Sequence, residues 1–275
     1  MYTIKMSYGM TFDTHAHVFV RGLALAEHCR YVPDYDATPG SFLTHLDNNG
    51  IDVGLLVQPS FLGTDNHFML NALRDYPTRF RGVAVVKPGI TRTELDDMAR
   101  LGVVGIRLNL IGTDLPDLTT PEWQSLLTYV RDLGWHVELH RAASDLPDLI
   151  QILLDINVKI VIDHYGLPST ALKQFDPGFQ FLLEKAASKK IWVKLSGAYR
   201  NGGIDTLTEN VTPLIPLLLK HFGAERLLWG SDWPHTRFEK NINYQRVFDA
   251  FAVEVTDEKT RNKILSASAE ALLRA

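Results

Sequence analysis

The segment Phe-Asp-Thr-His-Ala-His-Val, residues 12–18, places Asp13, His15 and His17 two residues apart inside a short apolar run. In a β-strand, side chains at i, i+2 and i+4 project from one face, so two imidazoles and a carboxylate are expected to look the same way. One histidine in an apolar strand is usually a satisfied core residue. Two at this spacing point to chemistry, because imidazole is the commonest metal ligand and the commonest general base. Such a trio acts only if other parts of the chain aim partners at it.

Short runs rich in Val, Ile and Leu recur along the 275 residues, each followed by a longer helical pattern. Strands are expected at 12–18, 53–58, 82–87, 104–110, 135–140, 159–164, 191–197 and 227–232. Helices are expected at 41–49, 65–76, 93–101, 121–133, 144–155, 176–188, 206–222 and 244–252, with a last one at 257–273 closing the chain. Pro121 behind Thr120 marks a helix start, and Gly50, Gly102 and Gly134 mark helix ends. Eight β/α alternations in this length predict a (β/α)8 TIM-type barrel, with residues 1–275 as one domain. A doubly wound open sheet is the main alternative. It usually binds a nucleotide at a glycine-rich first turn, and Phe-Val-Arg-Gly-Leu-Ala-Leu after the first strand is neither a dinucleotide fingerprint nor a P-loop.

Barrel active sites lie at the C-terminal ends of the strands. Seven expected strands end in titratable or strongly polar residues. His15 and His17 end the first, and Gln58 and Ser60 follow the second. Arg107 and Asn109 share a face of the fourth, and His136, Glu138 and His140 align on the fifth. His164 ends the sixth. Lys194 and Ser196 lie on the seventh with Tyr199 and Arg200 just beyond, and Asp232 ends the eighth, with His235 in its loop. Burying such groups without partners costs several kcal/mol each. Local pairing explains the deeper ones: Lys194 with Asp13 or Glu138 in an ion pair or network that includes His136. His15, His17, His140, His164 and Asp232 sit at strand tips, and their convergence on one mouth points to function. The loop at 19–40 is long and carries Arg21, Arg30, Tyr31 and Tyr35, as binding segments do.

Composition narrows the class. The chain is 45% hydrophobic and 22% charged, with a net charge of −4. That gives no reason to expect a nucleic-acid or anionic-membrane partner. The single cysteine, Cys29, rules out an internal disulfide and a Cys-rich zinc site. No secretory h-region or membrane-length apolar run is present, so a soluble cytoplasmic protein is expected. A serine-hydrolase reading fails because no G-x-S-x-G elbow occurs.

The stretches FDTHAHVF, LLVQPSFLGTDN, GIRLNL, HVELH, VIDHYG, WVKLSGAYR and RLLWGSDWPHT occur in order across residues 12 to 236. Together they resemble the amidohydrolase superfamily, and within it the branch of 2-pyrone-4,6-dicarboxylate lactonases and related sugar and muconolactone hydrolases. The resemblance implies a barrel that opens a cyclic ester with activated water. Asp232 would be the general base. His15, His17 and His164 would polarise the carbonyl or hold the oxyanion. Arg107 and Arg200 would bind substrate carboxylates, with Ser60, Tyr199 and Asn109 as further contacts. Forked guanidinium donors suit carboxylates, though each arginine can equally serve in a structural salt bridge.

Many amidohydrolases hold two metals through a carboxylated lysine late in strand four or five, and no such lysine is present here. The resemblance therefore implies either no cofactor or one divalent metal, best zinc, on His15, His17, His140 and Asp232. The pyrone-dicarboxylate lactonases work without metal and tend to lack a histidine at the His140 position. Two other functions remain open: a metal-dependent decarboxylase of the same barrel family, and a catalytically silent barrel that binds a small anion.

Overall fold

The computed structural model describes residues 9–27, 29–203 and 208–274. Eight parallel strands form one sheet in sequential order: β1 Phe12–Ala16, β2 Val53–Val57, β3 Phe80–Ala84, β4 Val103–Asn109, β5 His136–His140, β6 Lys159–Ile162, β7 Ile191–Ser196 and β8 Leu227–Gly230. Helices surround them: α1 Pro39–Asn48, α2 His67–Asp75, α3 Arg92–Leu101, α4 Pro121–Asp132, α5 Leu146–Asp155, α6 Pro177–Lys185, α7 Ile215–Phe222 and α8 Tyr244–Glu254. The architecture is the expected (β/α)8 barrel. Among the described residues, no helix is long and apolar enough to cross a membrane.

Three elements depart from expectation. Strand β3 starts at Phe80 rather than 82, because Arg81 lies within it and sends its guanidinium to the carbonyls of Pro77 and Phe80. Helix α7 starts only at Ile215. Residues 208–214 form turns, and residues 206 and 207 lie outside the described residues. The closing helix is two helices, α9 Glu258–Leu265 and α10 Ala267–Leu273. Ser266 breaks it: its hydroxyl bonds back to the Asn262 carbonyl at 2.6 Å and its own backbone leaves helical geometry. Ala269 and Leu272 of α10 then join Phe12, Val53, Trp192 and Leu228 in an apolar cluster that plugs the N-terminal end of the barrel.

Strand β1 carries the main surprise. Asp13 pairs with Gly54 but Ala16 pairs with Leu56, so three residues on β1 span two on β2. This bulge shifts the alternation of side chains. Phe12 points into the barrel with Val53, and so do His15 and His17. Asp13 does not look the same way as the histidines. Its carboxylate accepts the Ser231 N–H at 2.9 Å, faces Tyr244 of α8, and is pushed up to about 6 by burial. The β1–β8 seam closes through such bonds. The Thr14 hydroxyl donates to the Trp229 carbonyl at 2.8 Å, and the Asp232 N–H to the His15 carbonyl at 2.8 Å. At Gly230 a Cβ would fall 2.6 Å from that of His15, so the two strands meet where no side chain fits.

Midway up the barrel, β4, β5 and β7 contribute Arg107, Glu138 and Lys194, and the position just past β6 contributes Asp163, all buried. Arg107 reaches Asp163 at 2.9 Å and Glu138 at 3.3 Å. Lys194 donates to Glu138 and lies 3.5 Å from Asp163. Of the two partners open to Lys194, Glu138 is the one it takes. Burial opposes ionisation of Asp163, but His15, Lys194 and Arg107 hold its carboxyl well below the usual carboxylate range. Removing one member of such a network strands a charge in the interior, which costs about 3–5 kcal/mol. Lys194→Met is therefore expected to lower unfolding free energy by about that amount in urea titrations, while Lys194→Met with Glu138→Leu recovers most of the loss. A single variant within about 0.5 kcal/mol of wild type would contradict the network's role.

Candidate active site

His15 and His17 follow the bulge and enter the mouth from β1. The His17 Nδ1 lies 2.7 Å from the Val57 carbonyl. A carbonyl only accepts, so Nδ1 carries the proton and Nε2 faces the mouth bare. Burial, then the nearby Arg107, push His17 down to about 3, so the ring is neutral in ordinary buffers. His15 lies deeper. Its Nδ1 is 3.0 Å from Lys194 and 3.3 Å from Asp163, and its Nε2 has no hydrogen-bond partner. An ammonium only donates, so contact with Lys194 leaves the His15 proton on Nε2; contact with Asp163 moves it to Nδ1.

Asp232 stands just past β8 at φ 59°, in the left-handed region that a β-carbon disfavours. Its N–H bond to His15 and its carbonyl, which takes the His235 N–H at 2.7 Å, hold it there. Carboxylate oxygen Oδ2 accepts from Tyr199 at 2.6 Å and from Arg200 Nε at 2.5 Å. Oxygen Oδ1 has no hydrogen-bond partner and lies 3.8 Å from Nε2 of both His15 and His17. Burial opposes ionisation, but the Arg200 guanidinium, with His164 and His15, holds the carboxyl well below the usual range. Gly197, at φ 55°, makes room for this group. A Cβ there would lie 2.9 Å from both Asp232 Oδ2 and His164 Nδ1.

Residues Asp163 and His164 are neighbours in sequence, and strict alternation would send them to opposite faces. Both face the barrel because His164 and Tyr165 adopt φ 51° and 60°, which turns the chain inward. His164 Nδ1 lies 2.9 Å from the Ser196 hydroxyl, and burial lowers the ring to about 4.

These groups surround a cavity of about 300 Å³. Its walls bring together His17, Arg107, His140, His164, Arg200 and Asp232, with Ser60 and Asn109 nearer the rim. His15 lies beneath the cavity rather than on it. Tyr199 is not on the wall either. It stands behind Asp232 and bonds that carboxylate and His235, so it does not reach a ligand as expected. Both arginines do form the ion pairs weighed against their binding role, Arg107 with Asp163 and Arg200 with Asp232, while still facing the cavity. Of the long loop at 19–40, Arg30 and Tyr31 reach the cavity. Arg21 pairs with Asp36 at the surface, and Tyr35 packs on Phe19. Asp163, Gly197, Arg237 and Phe238 also belong to the site or its support and were not picked out from the sequence.

Among the described residues, His15, His17 and Asp232 offer ligand atoms within 4.8 Å of one another, as do His15, Asp163 and His164. His140 joins neither group. Its Nδ1 lies 3.2 Å from Arg107 Nη2, and its ring packs edge-on against His164 at 4.8 Å. The four-residue metal site expected on His15, His17, His140 and Asp232 therefore contracts to three. Those three fit a single divalent ion: two imidazole nitrogens and one carboxylate oxygen, with Nε2 of His15 and Oδ1 of Asp232 left without protein partners.

The chain is similar to proteins of known activity and known structure. It is 31% identical over 232 residues to a 4-sulfomuconolactone hydrolase of Rhizobium radiobacter, covering 82% of this chain and 76% of that one. It is 28% identical over 241 residues to a 2-pyrone-4,6-dicarboxylate hydrolase of Comamonas testosteroni, covering 84% and 78%. The solved structure of a probable 2-pyrone-4,6-dicarboxylic acid hydrolase from Acinetobacter baumannii, with citric acid bound, superposes with a TM-score of 0.93 at 41% identity. It covers 96% of this chain and 98% of that one. The amidohydrolase family model matches residues 12–275, from the first residue of β1 onward, and the chain belongs to the amidohydrolase family.

Proposed function

We propose that this protein hydrolyses a carboxylated lactone, with Asp232 as the general base. The observation that carries the reading is the free Oδ1 of Asp232, set 3.8 Å from the bare Nε2 of His17 inside an arginine-lined cavity. Two acceptors at that spacing suit a water that donates a proton to each. The similarity to hydrolases of sulfomuconolactone and of pyrone dicarboxylate supports the same chemistry, with 2-pyrone-4,6-dicarboxylate or a related muconolactone or sugar lactone as substrate.

The water oxygen attacks the ester carbonyl while one of its protons passes to Asp232. The carbonyl oxygen gains charge and needs donors where that charge grows. His164 and the Arg107 guanidinium stand on the cavity to supply them, and His15, beneath it, adds an Nε2–H when Lys194 occupies its Nδ1. Collapse of the tetrahedral intermediate breaks the bond to the ring oxygen, which takes the proton back from Asp232. The product is the ring-opened acid. His17, with its proton committed to Val57, orients the water rather than holding the oxyanion; this revises the role the resemblance implied for it. Arg107, Arg200, Ser60 and Asn109 orient the substrate, and Tyr199 positions Asp232.

A divalent metal, zinc by its donor set, would be held by His15, His17 and Asp232, and when bound it supplies carbonyl polarisation and a more acidic water. That set asks His15 to place its proton on Nδ1, toward Asp163. The deciding experiment is a screen of carboxylated lactones from aromatic and sugar-acid degradation, run with and without chelator. Hydrolysis that survives chelation without bound metal assigns the chemistry to the side chains alone. Loss on chelation with recovery by zinc assigns the ion.

Asp232→Asn is expected to lower kcat at least a hundredfold with little change in KM, because the lost group acts only as the reaction proceeds. A kcat near wild type would remove Asp232 as base. The base works ionised, so protonation of Asp232 should not limit activity as pH falls from 7 through the ordinary carboxylate range. That protonation comes only when pH passes through the depressed value of Asp232, with protonation of His17, near 3, removing the second acceptor of the water. Arg200→Gln removes the cation that holds the Asp232 value down, so the acid limb of kcat/KM should move to higher pH. An unmoved limb would mean that another group sets it.

A further inference from the structure

The charges around the cavity divide into two tiers. The deeper cations are each matched: Arg107 and Lys194 by Asp163 and Glu138, and Arg200 by Asp232. At the rim stand two more arginines that line the same cavity, Arg30 from the loop after β1 and Arg237 from the loop after β8. Among the described residues neither makes an ion pair. Arg30 Nη2 donates to Asn109 Oδ1 at 3.4 Å, and its guanidinium lies across Gly112, where a Cβ would be 3.6 Å from Nη1. Arg237 Nη2 donates to the Arg30 carbonyl at 2.6 Å. Glu239, on the same loop as Arg237, takes the Tyr31 hydroxyl at 3.0 Å instead. Two guanidiniums are thus brought together over one opening by neutral acceptors, although like charges repel. Their forked donors have room for a planar anion.

We propose that Arg30 and Arg237 form an anion subsite at the cavity rim, which takes an acidic group on the side of the substrate away from the reacting carbonyl. The inference rests on the lactonase reading for the identity of the substrate, but not for the existence of the subsite. It makes the preferred substrate at least a dianion, with one acid group held among the paired arginines below and a second held at the rim. Charge at the mouth also raises the encounter rate of such substrates.

The test uses Arg30→Gln, Arg237→Gln and the charge-keeping Arg30→Lys in the full chain, with circular dichroism to confirm the fold. The substrates are 2-pyrone-4,6-dicarboxylate and 2-pyrone-6-carboxylate, and citrate serves as a non-reacting tricarboxylate in calorimetry. Each Gln variant should raise KM for the dicarboxylate roughly ten- to a hundredfold, the worth of one charge-assisted hydrogen bond, with kcat changed only a few-fold. The rise for the monocarboxylate should be much smaller. The citrate Kd should weaken by at least tenfold, and Arg30→Lys should recover part of each loss. Unchanged citrate binding in the Gln variants, or no citrate binding by wild type, overturns the subsite. So do KM effects equal for the two lactones. If wild type opens neither lactone, the pyrone fails as the substrate class and citrate binding alone decides the subsite.

Discussion

Everything at the mouth of this barrel stands on the ion network across β4 to β7. Two cations face two carboxyl groups where solvent does not reach, and burial with the Asp163 charge pushes Glu138 up to about 7. Desolvation makes such a network a poor source of net stability compared with an apolar core. Its value lies in direction. Arg107 is aimed upward by Asp163, and Lys194 is aimed at His15 by Glu138. The reacting groups inherit their orientation and proton placement from these pairings.

Proton placement is the finest of these controls. His17 has one possible arrangement because its Nδ1 meets a carbonyl. His15 has two, since its Nδ1 sits between an ammonium and a carboxylate. One arrangement presents a donor to the cavity and the other a bare nitrogen. A metal-free hydrolysis and a metal-assisted one therefore call for different states of the same ring. Asp232 needs no such choice. Tyr199 and Arg200 take one of its oxygens and leave the other free.

The barrel was legible in the sequence because each strand is a compact apolar run and each helix carries its own start or stop residue. The strand-tip residues were legible because each follows the end of an apolar run, and His17, His164, Arg107, Arg200 and Asp232 all reach one cavity. What escaped is what alternation cannot report. The bulge in β1 turned Asp13 away. Positive φ at His164 turned that ring inward beside Asp163, which alternation already points inward with Val161. Tyr199 fell behind Asp232 because its turn begins with left-handed Gly197, and His140 was claimed by Arg107. Loop residues such as Arg237 have no periodicity to read, and only the folded chain sets them beside Arg30.

The bulge in β1 also changes what that strand can tolerate. With strict alternation, this sequence would face a choice: keep Phe12 in the apolar plug, or turn His15 and His17 into the mouth. The extra residue lets one strand run in two phases. The segment before it keeps step with the packing of the barrel floor, and the segment after it keeps step with the chemistry. Insertions or deletions on either side of Thr14 are therefore not equivalent. One sort mistunes the floor, the other disarms the mouth, and a sequence alignment that slides a gap freely between them conceals the difference.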